Sequence, residues 1–431
     1  MLKNLIIVLA TIVACSQAPA FAQSKPPADK PVVQDRSDLS SQQRNTIAAI
    51  NNFGWKVFRV VYDSTKINDN IFMSPLSVSY ALGIVLNGAS GSTRDSIQAA
   101  LGLTGLSISE IDSTYRELAT MFATLDSAST FSLANSVWHR KEKKLVPEFV
   151  EICRDYFNAP VEPVNFGLTS TIKKINTWAS DNTNGKIRNM ISDPVPSEIA
   201  SIVLNAVYFK APWSLEFEVA QSRPLPFHMA DGSATSVEFM CRDGRTDDQH
   251  FAELTRKYPI GQFDDSAMTG ANLPYGMQGR VMTLIVPDST ITLDSLVNSI
   301  NPDKIVNWGK IDSAPGCGGY FIALPKLRFS WEKDLSAVLA QIGLASAFKS
   351  SADFSGMFED EIGWISQISH KAFVQIDEHG TEAAAATTVW KADCIEPQVI
   401  CDHPFLFVIQ DSSSGIILFI GKIGNPVWTD Q

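Results

Sequence analysis

Near the end of the chain, between the strand-like "KAFVQID" (371–377) and "DCIEP" (393–397), runs "EHGTEAAAATTVW" (378–390), whose side chains are mostly tiny. Four consecutive alanines, Ala383, Ala384, Ala385 and Ala386, are strong helix formers on their own. Yet the segment grows out of alternating apolar and polar residues, the pattern of a half-buried strand. Continuing that alternation places Thr381, Ala383, Ala385, Thr387 and Val389 on one face and Glu382, Ala384, Ala386, Thr388 and Trp390 on the other. Both faces stay small through the leading half. Gly380, just before it, can take the dihedrals of a pivot that other residues avoid. Lys391 falls on the same face as Thr381, and its long stem can carry the ammonium to water. The blander reading of the same residues is a surface loop or short helix.

Ahead of this segment the pattern is mainly helical, then mainly strand. Ile47, Ile50, Phe53, Val57 and Val60 or Val61 recur at helical spacing in "SSQQRNTIAAINNFGWKVFRVVYD". In "NIFMSPLSVSYALGIVLNGASG", Ser74 is placed as an N-cap and Pro75 at the first helical position. Further helices are predicted in "DSIQAALGL", "ISEIDSTYRELATMFATL", "VPEFVEICRDYF" and "STIKKINTWASDNT", and another in "DLSAVLAQIG", stopped by Gly343. Strands are predicted in "ASIVLNAVYFKAPW", "GRVMTLIVPD", "YFIALPKLRFSW" and "AFVQID". The tail "PFLFVIQDSSSGIILFIGKIGN" reads as an apolar hairpin turning at Ser412–Gly415. Without a βαβ rhythm or an internal repeat, the class is α+β and residues 40–428 form one domain.

The N-terminal residues read as a leader. Lys3 precedes Leu5–Ala14, apolar except for Thr11, and Ala20-Phe21-Ala22 resembles a cleavage site, so 1–22 is expected to be a secretory signal. That run is too short to span a bilayer. Ile12-Val13-Ala14-Cys15 equally resembles the lipobox of bacterial lipoproteins, whose signal would end before Cys15 and leave it lipidated. Residues 23–39, Pro-rich and polar, suit a spacer. A formal net charge of −11 argues against nucleic acid as a partner, and leaves a membrane only through lipidation at Cys15.

No catalytic constellation stands out. The chain has no G-x-S-x-G, H-E-x-x-H, Walker loop or dinucleotide fingerprint. The histidines His139, His228, His250, His370, His379 and His403 are scattered, and "HRKEKK" (139–144) reads as a solvated turn. Cysteines beyond Cys15 are odd in number, irregularly spaced and without C-x-x-C, which indicates neither zinc nor a disulfide framework. A Cys394–Cys401 bridge fits the spacing without being required. No enzyme, metal or cofactor is expected.

The segments themselves resemble the serpin family. "NIFMSPLSVSYAL", "LNAVYFKAPW", "LPYGMQGRVMTLIVP", "HKAFVQIDEHGTEAAAATT" and "DHPFLFVIQDSSSGIILFIGKIGNP" match its patterns in order, over about Thr46 to Pro426. The loop and tail resemble most the leukocyte elastase inhibitor group, which lacks the leader seen here. The resemblance implies three β-sheets, eight or nine helices and an exposed reactive-centre loop near the C-terminus. It also implies a suicide inhibitor: a protease attacks the loop, forms an acyl-enzyme, and is trapped as the cut loop inserts into the large sheet.

Carried over residue by residue, the resemblance makes Glu378, Gly380, Thr381, Glu382 and Ala383 to Ala386 the hinge. Bulky, charged or proline residues in the hinge mark members that only bind or carry ligands, the alternative reading; from Gly380 to Val389 Glu382 is the one charge, and it fits the inhibitory pattern. Family members are attacked sixteen positions after the hinge glutamate, which is Cys394 here, so the reactive bond is Cys394–Ile395. A small, moderately apolar Cys suits elastase-like or subtilisin-like serine proteases, with cysteine proteases as further targets. The neighbouring register, Asp393–Cys394, resembles viral members whose Ala-Asp-Cys loop traps Asp-specific proteases such as caspases and granzyme B. Ser74, Ser77, Asn205 and His370 match the polar cluster beneath the strands that must part, and Trp213 the tryptophan where the loop enters. A secreted or lipid-anchored monomer is the expected form.

Overall fold

Helix α1 (Ser41–Asp63) begins where the polar spacer gives way to apolar residues at helical spacing. Ser40 Oγ accepts from the Gln43 amide at 3.1 Å while Gln43 Oε1 accepts from the Ser40 amide at 2.8 Å, a reciprocal cap. Ser74 likewise caps α2 (Pro75–Gly88), accepting from the Ser77 amide at 3.2 Å. Every residue of α2 is buried, which makes it the central helix of the molecule. The computed structural model describes residues 39–124, 129–192, 195, 199–243, 260–265, 267–276, 279–310, 321–359, 365–380 and 398–429.

Helices α3 (Gly91–Ala100), α4 (Ile108–Thr124), α5 (Pro147–Phe157) and α6 (Thr169–Asn182) fall on the segments predicted for them. Two short helices, α7 (Leu293–Ser299) and α8 (Pro302–Trp308), escape sequence reading because seven residues hold too few turns for a period to stand out. The last, α9 (Ser336–Leu339), widens into a looser turn over Ala340–Leu344, where Gly343 takes φ +107° and ends it. Among the described residues there are thus nine α-helices, accompanied by three sheets.

The strands are β1 (Ile71–Met73), β2 (Thr130–Arg140), β3 (Val161–Val164), β4 (Ser201–Lys210), β5 (Arg223–His228), β6 (Ala234–Asp243), β7 (Gly261–Asp265), β8 (Met268–Tyr275) and β9 (Arg280–Pro287). They continue with β10 (Phe321–Pro325), β11 (Leu327–Asp334), β12 (Ile365–Ile376), β13 (Gln398–Ile400), β14 (Phe405–Asp411) and β15 (Ile417–Ile423). Three sheets result, with strand orders β1-β15-β14-β9-β8-β7, β13-β10-β6-β5 and β11-β12-β4-β2-β3. The helical reading of the front half misses β2, whose 11 residues sit between α4 and α5. "YFIALPKLRFSW" is two strands rather than one: β10 serves the four-stranded sheet, β11 the five-stranded sheet, and Lys326 stands at the crossing. Strand β5 carries Pro224 and Pro226, and it occupies a sheet edge, where missing amide donors are tolerated. The predicted C-terminal hairpin forms as β14 and β15, buried throughout.

The five-stranded sheet is covered on both sides. On β4, Val203, Val207 and Phe209 face the main core, whereas Ile202, Leu204, Ala206 and Tyr208 pack under α6 with Trp138 and Phe373. No helix among the described residues is long and apolar enough to cross a membrane. All these elements lie within one compact unit, residues 33–431. Cys153, Cys241 and Cys401 are buried free thiols, whereas Cys394, the other end of the Cys394–Cys401 bridge considered from the sequence, lies outside the described residues.

Candidate functional site at the seam of the five-stranded sheet

Strands β4 and β12 run parallel and pair from Ser201↔Ile365 to Tyr208↔Phe373, whereas the joints on their outer sides, β12 with β11 and β4 with β2, are antiparallel. Parallel pairing is slightly weaker per residue. The seam between β4 and β12 is therefore the weak internal joint of the sheet.

A polar cluster lies on the core face of that seam. His370 on β12, Asn205 on β4 and Asn135 on β2 stand directly opposite one another across three strands. The Ser74 amide, at the N-cap of α2, donates to His370 Nε2 at 3.2 Å. His370 Nδ1 must then carry the proton, which it donates to Asn205 Oδ1 across the seam at 2.5 Å. The same Oδ1 accepts from Ser77 Oγ at 2.6 Å, while Asn205 Nδ2 donates to the Ser77 carbonyl at 3.2 Å and to Asn135 Oδ1 at 2.7 Å. Four residues singled out in the sequence, Ser74, Ser77, Asn205 and His370, are thus brought together. Asn135 belongs with them and was missed; its one signal was a buried-register amide inside "SLANSVW", legible only once β2 is known to be a strand. Its Nδ2 is buried without a hydrogen-bond partner among the described residues.

Burial pushes the His370 imidazole down to about 3, because a charged ring has no water there. The sign of the resulting pH effect follows directly. Below an unfolded value near 6.5, the unfolded chain binds a proton that the native fold refuses, so stability is present above that pH and lost as pH falls toward 3. We expect the urea midpoint of the native protein to fall steeply between pH 6.5 and 5, and His370→Gln to flatten that fall by about 1 kcal/mol per pH unit. An equally steep fall in the variant would remove His370 as the cause.

At the upper end of the seam, β12 leaves the sheet through a tight turn. The Asp377 amide donates to the Gly380 carbonyl at 3.0 Å and the Gly380 amide to the Asp377 carbonyl at 3.1 Å, closing a hairpin around Glu378 and His379. Gly380 has φ +115°, and a β-carbon there would lie 2.5 Å from both the Ala211 carbonyl oxygen and the Trp213 amide nitrogen. Only glycine fits. Trp213 anchors the other side: its Nε1 donates to the Asp377 carbonyl at 2.9 Å and its ring stacks on Tyr275 at 4.4 Å.

Glu378 is buried against Lys326, with Nζ 2.7 Å from its carboxylate, and accepts from Ser222 Oγ at 2.5 Å. Burial alone would raise its carboxyl, but the Lys326 ammonium and the Ser222 hydroxyl outweigh that and hold it below the ordinary range. No local sequence pattern marked Lys326 or Ser222, which reach the turn from the crossing between β10 and β11 and from the residue just before β5. Thr381, Glu382, Ala383 to Ala386, Asp393, Cys394 and Ile395 lie outside the described residues.

A sequence model of the family described as "Serpin (serine protease inhibitor)" matches residues 48–426. The chain belongs to the serpin family. It is 31% identical over 389 residues to the leukocyte elastase inhibitor of Sus scrofa, covering 88% of this chain and 99% of that one. To serpin B9 of Homo sapiens it is 29% identical, covering 83% and 93%. Among solved structures it resembles the thermophilic serpin tengpin in its native state, with TM-score 0.78, 25% identity, and coverage of 90% and 95%. The three sheets and mixed helices are those of the serpin fold, and its inhibitory relatives act on proteases rather than as enzymes.

Proposed function

We propose that this serpin is a secreted suicide inhibitor of serine endopeptidases, and of cysteine endopeptidases that form acyl-enzymes. The observation that carries the reading is the hinge turn beside a parallel seam. A strand following the turn at Gly380 runs back antiparallel to β12, and therefore antiparallel to β4 as well. Entering between them, it would replace one parallel joint by two antiparallel ones. The ten residues 381–390 match the 10 residues of β4 in length. Their small side chains suit a slot closed by the core on one side and α6 on the other.

Attack by a protease on Cys394–Ile395, with Asp393–Cys394 as the competing bond, would leave the acyl group on the strand that inserts. Serpins include carriers as well as inhibitors, and the hinge composition favours inhibition here. Secretion rests on the leader alone, and a lipidated Cys15 would place the same inhibitor at a membrane surface.

The test is incubation with elastase, subtilisin, papain and granzyme B, followed by a denaturing gel. A covalent complex with at least one is expected, together with a released C-terminal peptide whose intact mass begins at Ile395. A peptide beginning at Cys394 would move the reactive bond to Asp393–Cys394. Clean cleavage by every protease without complex would instead make the protein a binder.

A further inference from the structure

The hinge turn fixes where each later residue would arrive if the segment became a strand. Asp377 and Gly380 pair across the turn, so Thr381 follows opposite Ile376, and each further step pairs one residue back along β12. Ala385 then meets Ala372, Thr387 meets His370, and Trp390 meets Gln367. Residues directly opposite share a face. Gln367 and Lys371 lie on the α6 face, where Gln367 Nε2 donates to Ser369 Oγ at 2.8 Å and Lys371 Nζ to the Asn189 carbonyl at 2.6 Å.

A cavity of about 550 Å³ opens on that face, between β11, β12 and the chain that follows α6. Its apolar wall is Met190, Ile191, Val195 and Ile202. Ile202 is also the partner of Gln367 across the β4–β12 seam. A strand entering the seam in this register brings residue 390 between Gln367 and Ile202, at the mouth of the cavity.

We propose that this cavity receives the indole of Trp390 when the loop is inserted. The inference rests on the insertion reading above and adds a docking site to it. On the same face, Ala384 arrives opposite Phe373, which is packed under α6 with Lys186 Nζ 5.5 Å from its ring centre, and Ala386 arrives opposite Lys371. Those levels are covered, and the residues that reach them are small. Trp390 is the one bulky side chain in the leading ten residues, and it falls at the level where space is open. Apolar walls take the ring, the Lys371 ammonium can lie against its face, and Ser192 or Gln367 can accept its N–H. Because this contact forms after the small residues have passed, it opposes withdrawal rather than entry.

The test uses full-length wild type, Trp390→Ala and Trp390→Phe, each melted before and after cleavage of the loop. Intact forms should melt within about 2 °C of one another. Cleaved Trp390→Ala should melt about 3 to 6 °C below cleaved wild type, with Trp390→Phe between them. Cleavage should also add a blue-shifted component to the tryptophan emission, and Trp390→Phe should lack it. A cleaved Trp390→Ala that melts with cleaved wild type, or a Trp390 emission that stays that of a hydrated indole, overturns the docking site while leaving insertion intact. A wild type that gains no stability on cleavage overturns both.

Discussion

Cutting the loop between Cys394 and Ile395 should raise the melting midpoint of this serpin by about 10 °C or more, although a covalent bond has been lost. The β4–β12 seam is a single parallel joint, with a covered face on each side. A new central strand gains backbone hydrogen bonds along both edges, and about ten such bonds at a net ~0.5–1.5 kcal/mol each amount to about 10 kcal/mol. For a chain of this size, each kcal/mol is worth about 1 °C. The intact form is then held short of its lowest free energy by the tether at both ends of the loop. Scanning calorimetry of intact and nicked protein, both checked by mass, measures the difference. Equal midpoints would mean that the sheet has no place for the strand, and the inhibitor reading would fall with it.

Thr381→Arg should turn the inhibitor into a substrate. In the hinge register Thr381 arrives first, opposite Ile376, on the face that packs into the main core. An arginine there must lose its water before any later contact repays the cost, so it acts on the barrier to insertion rather than on the final state. If the barrier rises by about 3 kcal/mol, insertion slows about a hundredfold, and the acyl-enzyme hydrolyses first. Ala383→Pro should do the same by another route, because it removes an amide donor from the incoming strand. Titration against the protease that gives complex in wild type should show the complexed fraction dropping to a few per cent, with cleavage still fast. Affinity for the protease should change little, since the residues near the attacked bond are untouched. Undiminished complex in both variants would remove these residues from the hinge.

The contrast between residues found and residues missed has a consistent physical basis. Ser74 was legible as a helix cap because its role is local: a hydroxyl at the right place before Pro75 satisfies an amide three residues on. Gly380 stood out for a similar reason, since its missing side chain marks a turn whatever surrounds it. Family resemblance named Ser77, Asn205, Trp213 and His370, but local pattern alone did not tie them together. Asn135, Lys326 and Ser222 left no local mark at all. Asn135 matters only because β2 places it opposite Asn205, and Lys326 only because β10 ends beside the turn that holds Glu378.

The strands missed in the front half share that cause. β2 is partly exposed along its first residues and buried from Ala134 to His139, so no single period runs through it. β11 was read together with β10, because nothing in the covalent chain announces that consecutive strands join different sheets.

Sequence alone determined the elements whose stability is local: capped helices, the apolar hairpin at the C-terminal end, the pivot glycine, and the small-residue run that could serve as a strand. Tertiary structure decided which strands lie side by side, and hence that β4 and β12 meet in parallel with a histidine and an asparagine bonded across the joint. Strand neighbours are chosen by the burial of whole faces between distant segments, a sum over many weak contacts that no short stretch of sequence contains.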